Sequence, residues 1–75
     1  LLINTPVKDK HAALEDAELL AAVDEVAKEL GDEGRILVRP SGTEPLVRVM
    51  VEAKTDALCE KYVYRIVDFI KEKGL

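Results

Sequence analysis

Seventy-five residues make one small domain with a modest core, because a chain of about this size buries only roughly 60% of the surface it exposes when unfolded. A net charge of −4 excludes the broad basic field that general binding to nucleic acid or an anionic membrane requires, and no run approaches the ~18 to 20 consecutive apolar residues needed to cross a bilayer. The single cysteine, Cys59, excludes an internal disulfide and has no metal-ligand spacing around it, so a cytoplasmic setting is expected.

The chain begins at Leu1, its one methionine is Met50, and its start lacks the charged region of a signal peptide. Residues 1–75 are therefore expected to form a single domain excised from a larger protein. Leu1 to Val7 is a short apolar run, a strand whose Pro6 lacks a ladder donor and so marks an edge position or a strand end. Lys8 to Leu14 is a polar connector. His11 lies in it with no cluster of carboxylates or cysteines around it, which makes it a surface residue.

Asp16 is the N-cap of a helix running to Leu30, in which Leu19, Val23, Val26 and Leu30 recur at spacings of three and four and form one buried stripe. Glu18, Asp24, Glu25 and Glu29 make up its solvated face and form no metal site. Gly31 stops the helix, and Asp32 to Gly34 turn the chain into a hairpin whose second strand runs to about Lys54. Thr55 or Asp56 caps the last helix. Cys59, Val63, Ile66 and Ile70 give its buried stripe, Tyr62, Val67 and Phe69 flank it, and Gly74 ends it. Cys59 on that stripe is a small core residue. The sum is an α+β two-layer sandwich of order βαββα, an antiparallel sheet with two helices on one face.

The chemistry is concentrated in the hairpin loop, Arg39-Pro40-Ser41-Gly42-Thr43-Glu44-Pro45, and in Arg48 just beyond it. Closing the hairpin over Pro40 to Pro45 puts Ile36 opposite Val49 and Val38 opposite Val47, apolar β-branched pairs suited to a buried face. The other face then carries Arg39 and Arg48 as diagonal neighbours roughly 7 to 8 Å apart. Two guanidinium groups suited to bidentate phosphate contact, the hydroxyls of Ser41 and Thr43, and Gly42, which can adopt a positive φ and admit an oxyanion close to its N–H, together read as a phosphate grip. Pro40 and Pro45 bound the turn. Glu44 would repel a phosphate beside it, so it shapes the loop by turning away, pairing with an arginine or accepting backbone N–H bonds. The same composition also describes an ordinary hairpin loop with solvated arginines.

The string Arg39-Pro40-Ser41-Gly42-Thr43-Glu44-Pro45-Leu46-Val47-Arg48-Val49-Met50-Val51-Glu52-Ala53 resembles the C-terminal domain signature of bacterial phosphoglucosamine mutases, a branch of the α-D-phosphohexomutases. The Glu-Pro after the threonine and the Arg-Val-Met that follows look more like that branch than like its phosphomannomutase and phosphoglucomutase relatives. The resemblance implies a TATA-binding-protein-like fold, as in that family's last domain. It also implies an isomerase that interconverts glucosamine 6-phosphate and glucosamine 1-phosphate through a phosphoserine and a bisphosphorylated intermediate. By the same resemblance Arg39, Ser41, Gly42, Thr43 and Arg48 hold the substrate phosphate, with Pro40, Glu44 and Pro45 shaping the loop.

The same resemblance implies magnesium in the full-length enzyme, while no cofactor, metal ligand or catalytic residue is expected within these residues, so the fragment alone is not expected to catalyse. The expected partners are a phosphosugar and the other domains of the same enzyme, with neither nucleic acid nor membrane. The runner-up is the same domain of another phosphohexomutase. More remote alternatives are a small nucleic-acid-binding module, disfavoured by the acidic balance and by the placing of Tyr62, Tyr64 and Phe69 in the last helix, and a protein interaction module.

Overall fold

The computed structural model describes all residues 1–75. Strand β1 (Leu2–Pro6) is followed by two helices, α1 (Lys10–Glu15) and α2 (Ala17–Leu30), and a single 3-10 turn over Gly31–Glu33. Strands β2 (Gly34–Pro40) and β3 (Leu46–Ala53) form the hairpin, and α3 (Asp56–Lys73) closes the chain. The three strands make one antiparallel sheet in the order β1-β3-β2, so β3 is central. Its sequence suits that position. Val47, Val49 and Val51 are fully buried on one face, while both strands that contain proline lie at the edges, where a missing N–H costs no ladder bond.

The core lies between that valine face and the helices. Leu19, Val26 and Leu30 of α2 and Cys59, Tyr62, Val63, Ile66, Val67 and Ile70 of α3 pack against it. This is the expected two-layer α+β sandwich, with Pro6 ending an edge strand and Cys59 buried in the core. Thr55 supplies the cap of α3 by accepting a hydrogen bond from the Leu58 N–H, and Gly74 ends that helix in the left-handed region. No helix is long and apolar enough to cross a membrane.

Two expectations are corrected. The connector after β1 contains helix α1: Asp9 caps it by accepting from the N–H groups of His11 and Ala12, and Ala13 is buried beneath it. Six residues are too few to show an apolar period, so this helix exists through its cap and its packing rather than through a pattern. His11 on it is exposed, as expected. Asp16 then separates α1 from α2 with an extended backbone, and its carboxylate accepts from the Leu19 N–H.

The second correction concerns the hairpin register, which is shifted by two residues. Ile36 pairs with Val51, Val38 with Val49, Arg39 with Arg48 and Pro40 with Val47. Pro40 was expected to open the loop, yet it remains in the strand. The Ser41 N–H donates to the Leu46 carbonyl, so the nitrogen of the preceding residue faces away from β3, and a proline there removes no ladder bond. A shift of two keeps every side chain on its expected face because the strand period is two.

Lys73 near the end of α3 reaches both carboxylate oxygens of Asp16 at 2.8 and 2.7 Å, joining the end of the last helix to the cap of α2. Arg65 of α3 pairs with Glu25 and Glu29 of α2 on the outer face of the helix layer. One buried polar group has no hydrogen-bond partner, the hydroxyl of Thr5 on the helix-facing side of β1.

Candidate functional site

The hairpin leaves Arg39 and Arg48 directly opposite one another on the sheet face that the helices do not cover. Directly opposed side chains have Cβ atoms about 4.5 to 5.5 Å apart, closer than the diagonal placing expected from sequence, and like charges so placed are unfavourable. Both residues are exposed. Arg35 and Arg65 are the arginines that form ion pairs, whereas Arg39 and Arg48 form none in a chain with 15 acidic residues. The two cations are therefore held face to face without a compensating carboxylate. Between and beneath them lies a shallow cavity of about 300 Å³, lined by Leu2, Leu37 and Met50 together with the two arginines.

The loop is fixed at both ends. At its start the Ser41 N–H donates to the Leu46 carbonyl at 2.9 Å. At its end the Leu46 N–H donates to the Glu44 carbonyl at 2.7 Å, the three-residue turn for which the fixed φ of Pro45 is well suited, and the Val7 N–H donates to the Pro45 carbonyl at 2.9 Å. Between these anchors the backbone N–H groups of Gly42, Thr43 and Glu44 donate to no acceptor in the chain. The loop between the two arginine-bearing strands thus carries three successive backbone donors without a partner in the chain.

Gly42 and Glu44 depart from the expected details. Gly42 does not have a positive φ, since the glycines in that region are Gly31 and Gly74. Nor does the fold crowd it, because a Cβ built at Gly42 would meet nothing within 4 Å. Neither backbone conformation nor packing within the chain requires a glycine there. The Glu44 side chain neither pairs with an arginine nor accepts a backbone N–H; it is exposed, and Glu44 shapes the loop through its carbonyl instead.

One residue at the site was missed by sequence reasoning. Lys10, at the start of α1, places its Nζ 2.7 Å from the Ser41 carbonyl oxygen and 3.3 Å from that of Gly42. No spacing signal could have found it, because it is brought to the loop from 31 residues away by the packing of α1. Asp9, which caps that helix, has its carboxyl held below the usual range by the N–H bonds of Ala12 and His11.

The molecule is thus a small α+β sandwich with a cationic, amide-rich hairpin end. The chain belongs to the phosphoglucomutase/phosphomannomutase C-terminal domain family, whose sequence model matches residues 2–69. It is 62% identical to phosphoglucosamine mutase of Bacillus licheniformis over 71 residues, covering 95% of this chain and 16% of that protein. It is 58% identical to the Lachnospira eligens phosphoglucosamine mutase over 74 residues and 57% identical to that of Bacillus subtilis strain 168 over 76 residues, covering 16% and 17% of those proteins. The chain thus spans less than a fifth of the length of the curated relatives it matches. Among solved structures, its fold matches part of N-acetylphosphoglucosamine mutase from Aspergillus fumigatus with a TM-score of 0.80 at 24% identity, covering 100% of this chain and 16% of that one.

Proposed function

We propose that residues 1–75 are the C-terminal domain of a phosphoglucosamine mutase, and that Arg39, Ser41, Gly42, Thr43 and Arg48 hold the substrate phosphate that is not being transferred. The observation that carries this reading is the unpaired, face-to-face placing of Arg39 and Arg48 beside the free amides of residues 42–44. The choice of amino sugar rests on the likeness to bacterial phosphoglucosamine mutases, and the likeness extends over nearly the whole chain. The Aspergillus fumigatus enzyme of the same fold has been crystallised with GlcNAc-6P and magnesium, which agrees with a phosphosugar as the ligand.

In this reading the full-length enzyme interconverts glucosamine 6-phosphate and glucosamine 1-phosphate in the cytoplasm, and the reacting groups lie in other domains. Magnesium would serve that full-length enzyme, in line with the magnesium complex of the Aspergillus fumigatus enzyme. This domain contributes binding energy remote from the reacting centre. The donors meet a dianion whose position is the same whichever end of the sugar is presented, and each charge-assisted hydrogen bond is worth about 1.5 to 3 kcal/mol. Spending that energy on orientation, and on closing the domain over the sugar, is how a non-reacting phosphate raises the rate at the distant one.

The test is an amide chemical-shift titration of the chain with glucosamine 6-phosphate, using glucosamine as the control. Binding of order millimolar is expected, about −4 kcal/mol, because the site is only part of the whole. Shifts at Arg39 to Glu44 and Arg48 with the phosphorylated sugar alone support the reading. An identical response to both sugars, or none at saturation in this chain and in the full-length enzyme, overturns it.

A further inference from the structure

We propose that Lys10 sets the direction in which the loop's amides face, making it a positioning residue for the phosphate grip rather than a ligand; the inference rests on reading residues 39–48 as a phosphate site. Its Nζ holds the carbonyl oxygens of two successive residues, Ser41 at 2.7 Å and Gly42 at 3.3 Å. The chain has no cis peptide bond, and in a planar trans peptide the C=O and the following N–H point in opposite directions. Drawing the Ser41 and Gly42 carbonyls onto the ammonium therefore turns the Gly42 and Thr43 N–H groups away from α1. Those are two of the three loop amides that donate to nothing within the chain.

Nothing else in the chain performs this task. The loop's remaining backbone bonds lie at its two ends, where Ser41 donates to Leu46 and where Glu44 and Pro45 accept, and they leave the peptide planes at Gly42 free to rotate. Lys10 forms no ion pair that would compete, since the lysines paired with carboxylates are Lys28, Lys54 and Lys73. Its own position is fixed by the Asp9 cap and by the burial of Ala13 one turn along. A cation at the carbonyl end of a peptide also polarises it, which strengthens the N–H at the other end as a donor to an anion. The charge of Lys10 thus reaches the phosphate through two peptide groups, without contact.

Glucosamine 6-phosphate titrations of the wild-type chain, Lys10→Met and Lys10→Arg, followed by amide shifts, test this, with unchanged Val49 and Ile66 amides as the check that each variant is folded. Lys10→Met should move the Gly42 and Thr43 amide resonances before any ligand is added. It should also weaken binding about tenfold, the equivalent of one charge-assisted hydrogen bond, and Lys10→Arg should recover most of the loss. Unmoved free-state amides with weakened binding would make Lys10 a direct ligand and overturn the positioning role. Unchanged affinity in Lys10→Met also overturns it, while leaving the phosphate reading intact. No response of the wild-type chain or of the full-length enzyme would remove that reading and this inference together.

Discussion

Arg39 and Arg48 are cross-strand partners, directly opposed in the central hairpin on the uncovered face of the sheet, and neither has an acidic partner. A domain selected for stability alone would not place two cations there, since like charges directly opposite one another are destabilising. The separation of effects is testable. Arg48→Ala should leave the thermal midpoint unchanged or slightly raised, yet weaken glucosamine 6-phosphate binding at least tenfold, the loss of one or two charge-assisted hydrogen bonds. Calorimetric melting and a binding titration on the same sample decide it, and a destabilised variant with unchanged affinity would make the arginine structural.

Gly42 and Gly34 should respond oppositely to the same added methyl group. A Cβ at Gly42 meets nothing within the chain, whereas a Cβ at Gly34 would lie 2.2 Å from the Glu52 carbonyl oxygen and 2.9 Å from the Ala53 Cα. Gly34→Ala should therefore destabilise by about 1 to 3 kcal/mol through forced displacement of β3. Gly42→Ala should melt like the wild type and lose phosphate affinity. Denaturant unfolding of both variants, paired with the phosphosugar titration, checks the contrast.

Thr5 is a fully buried residue whose hydroxyl has no hydrogen-bond partner. An unsatisfied buried hydroxyl costs about 1 to 3 kcal/mol, and valine has nearly the same shape without it. Thr5→Val is expected to raise the unfolding free energy by about 1 kcal/mol. A lower midpoint at unchanged m-value in urea would show that the hydroxyl has a partner after all.

The clasp between Lys73 and Asp16 predicts an acid limb in the stability profile. The Lys73 ammonium, followed by the Leu19 N–H, holds the Asp16 carboxyl below its ordinary value of 3.8. Between the folded and unfolded values the unfolded chain carries the extra proton, so stability rises with pH there. The contribution is complete above about 3.8 and is lost as pH falls through the lowered folded value. Lys73 is raised above 10.5 chiefly by Asp16, so the same clasp is lost again as pH rises through the folded value of the lysine. Asp16→Asn, which keeps an N-cap side chain, should flatten both limbs. Thermal midpoints of the two proteins measured across the acid and alkaline ranges provide the check.

Much of this protein was legible locally. The stripe Leu19, Val23, Val26 and Leu30, of which Val23 is only partly buried, the caps at Asp16 and Thr55, the glycine stop at Gly74 and the alternation of Val47, Val49 and Val51 with Arg48 and Met50 are set by propensities and periods within one element, and all are present. The two arginines share a face in either register because alternation survives a shift of two.

Only the tertiary structure decided the rest. The register depended on whether Pro40 left the strand, which turned on its edge position, and that position in turn on β1 pairing with β3 across more than forty residues of chain. The identity of the loop's side-chain anchor, Lys10, and of the partner of Asp16, Lys73, depended on how α1 and α3 pack. Such contacts leave no trace in spacing, because the residues that make them are neighbours in space and distant along the chain. Sequence therefore fixed what each element could offer, while packing of the elements decided which offers meet.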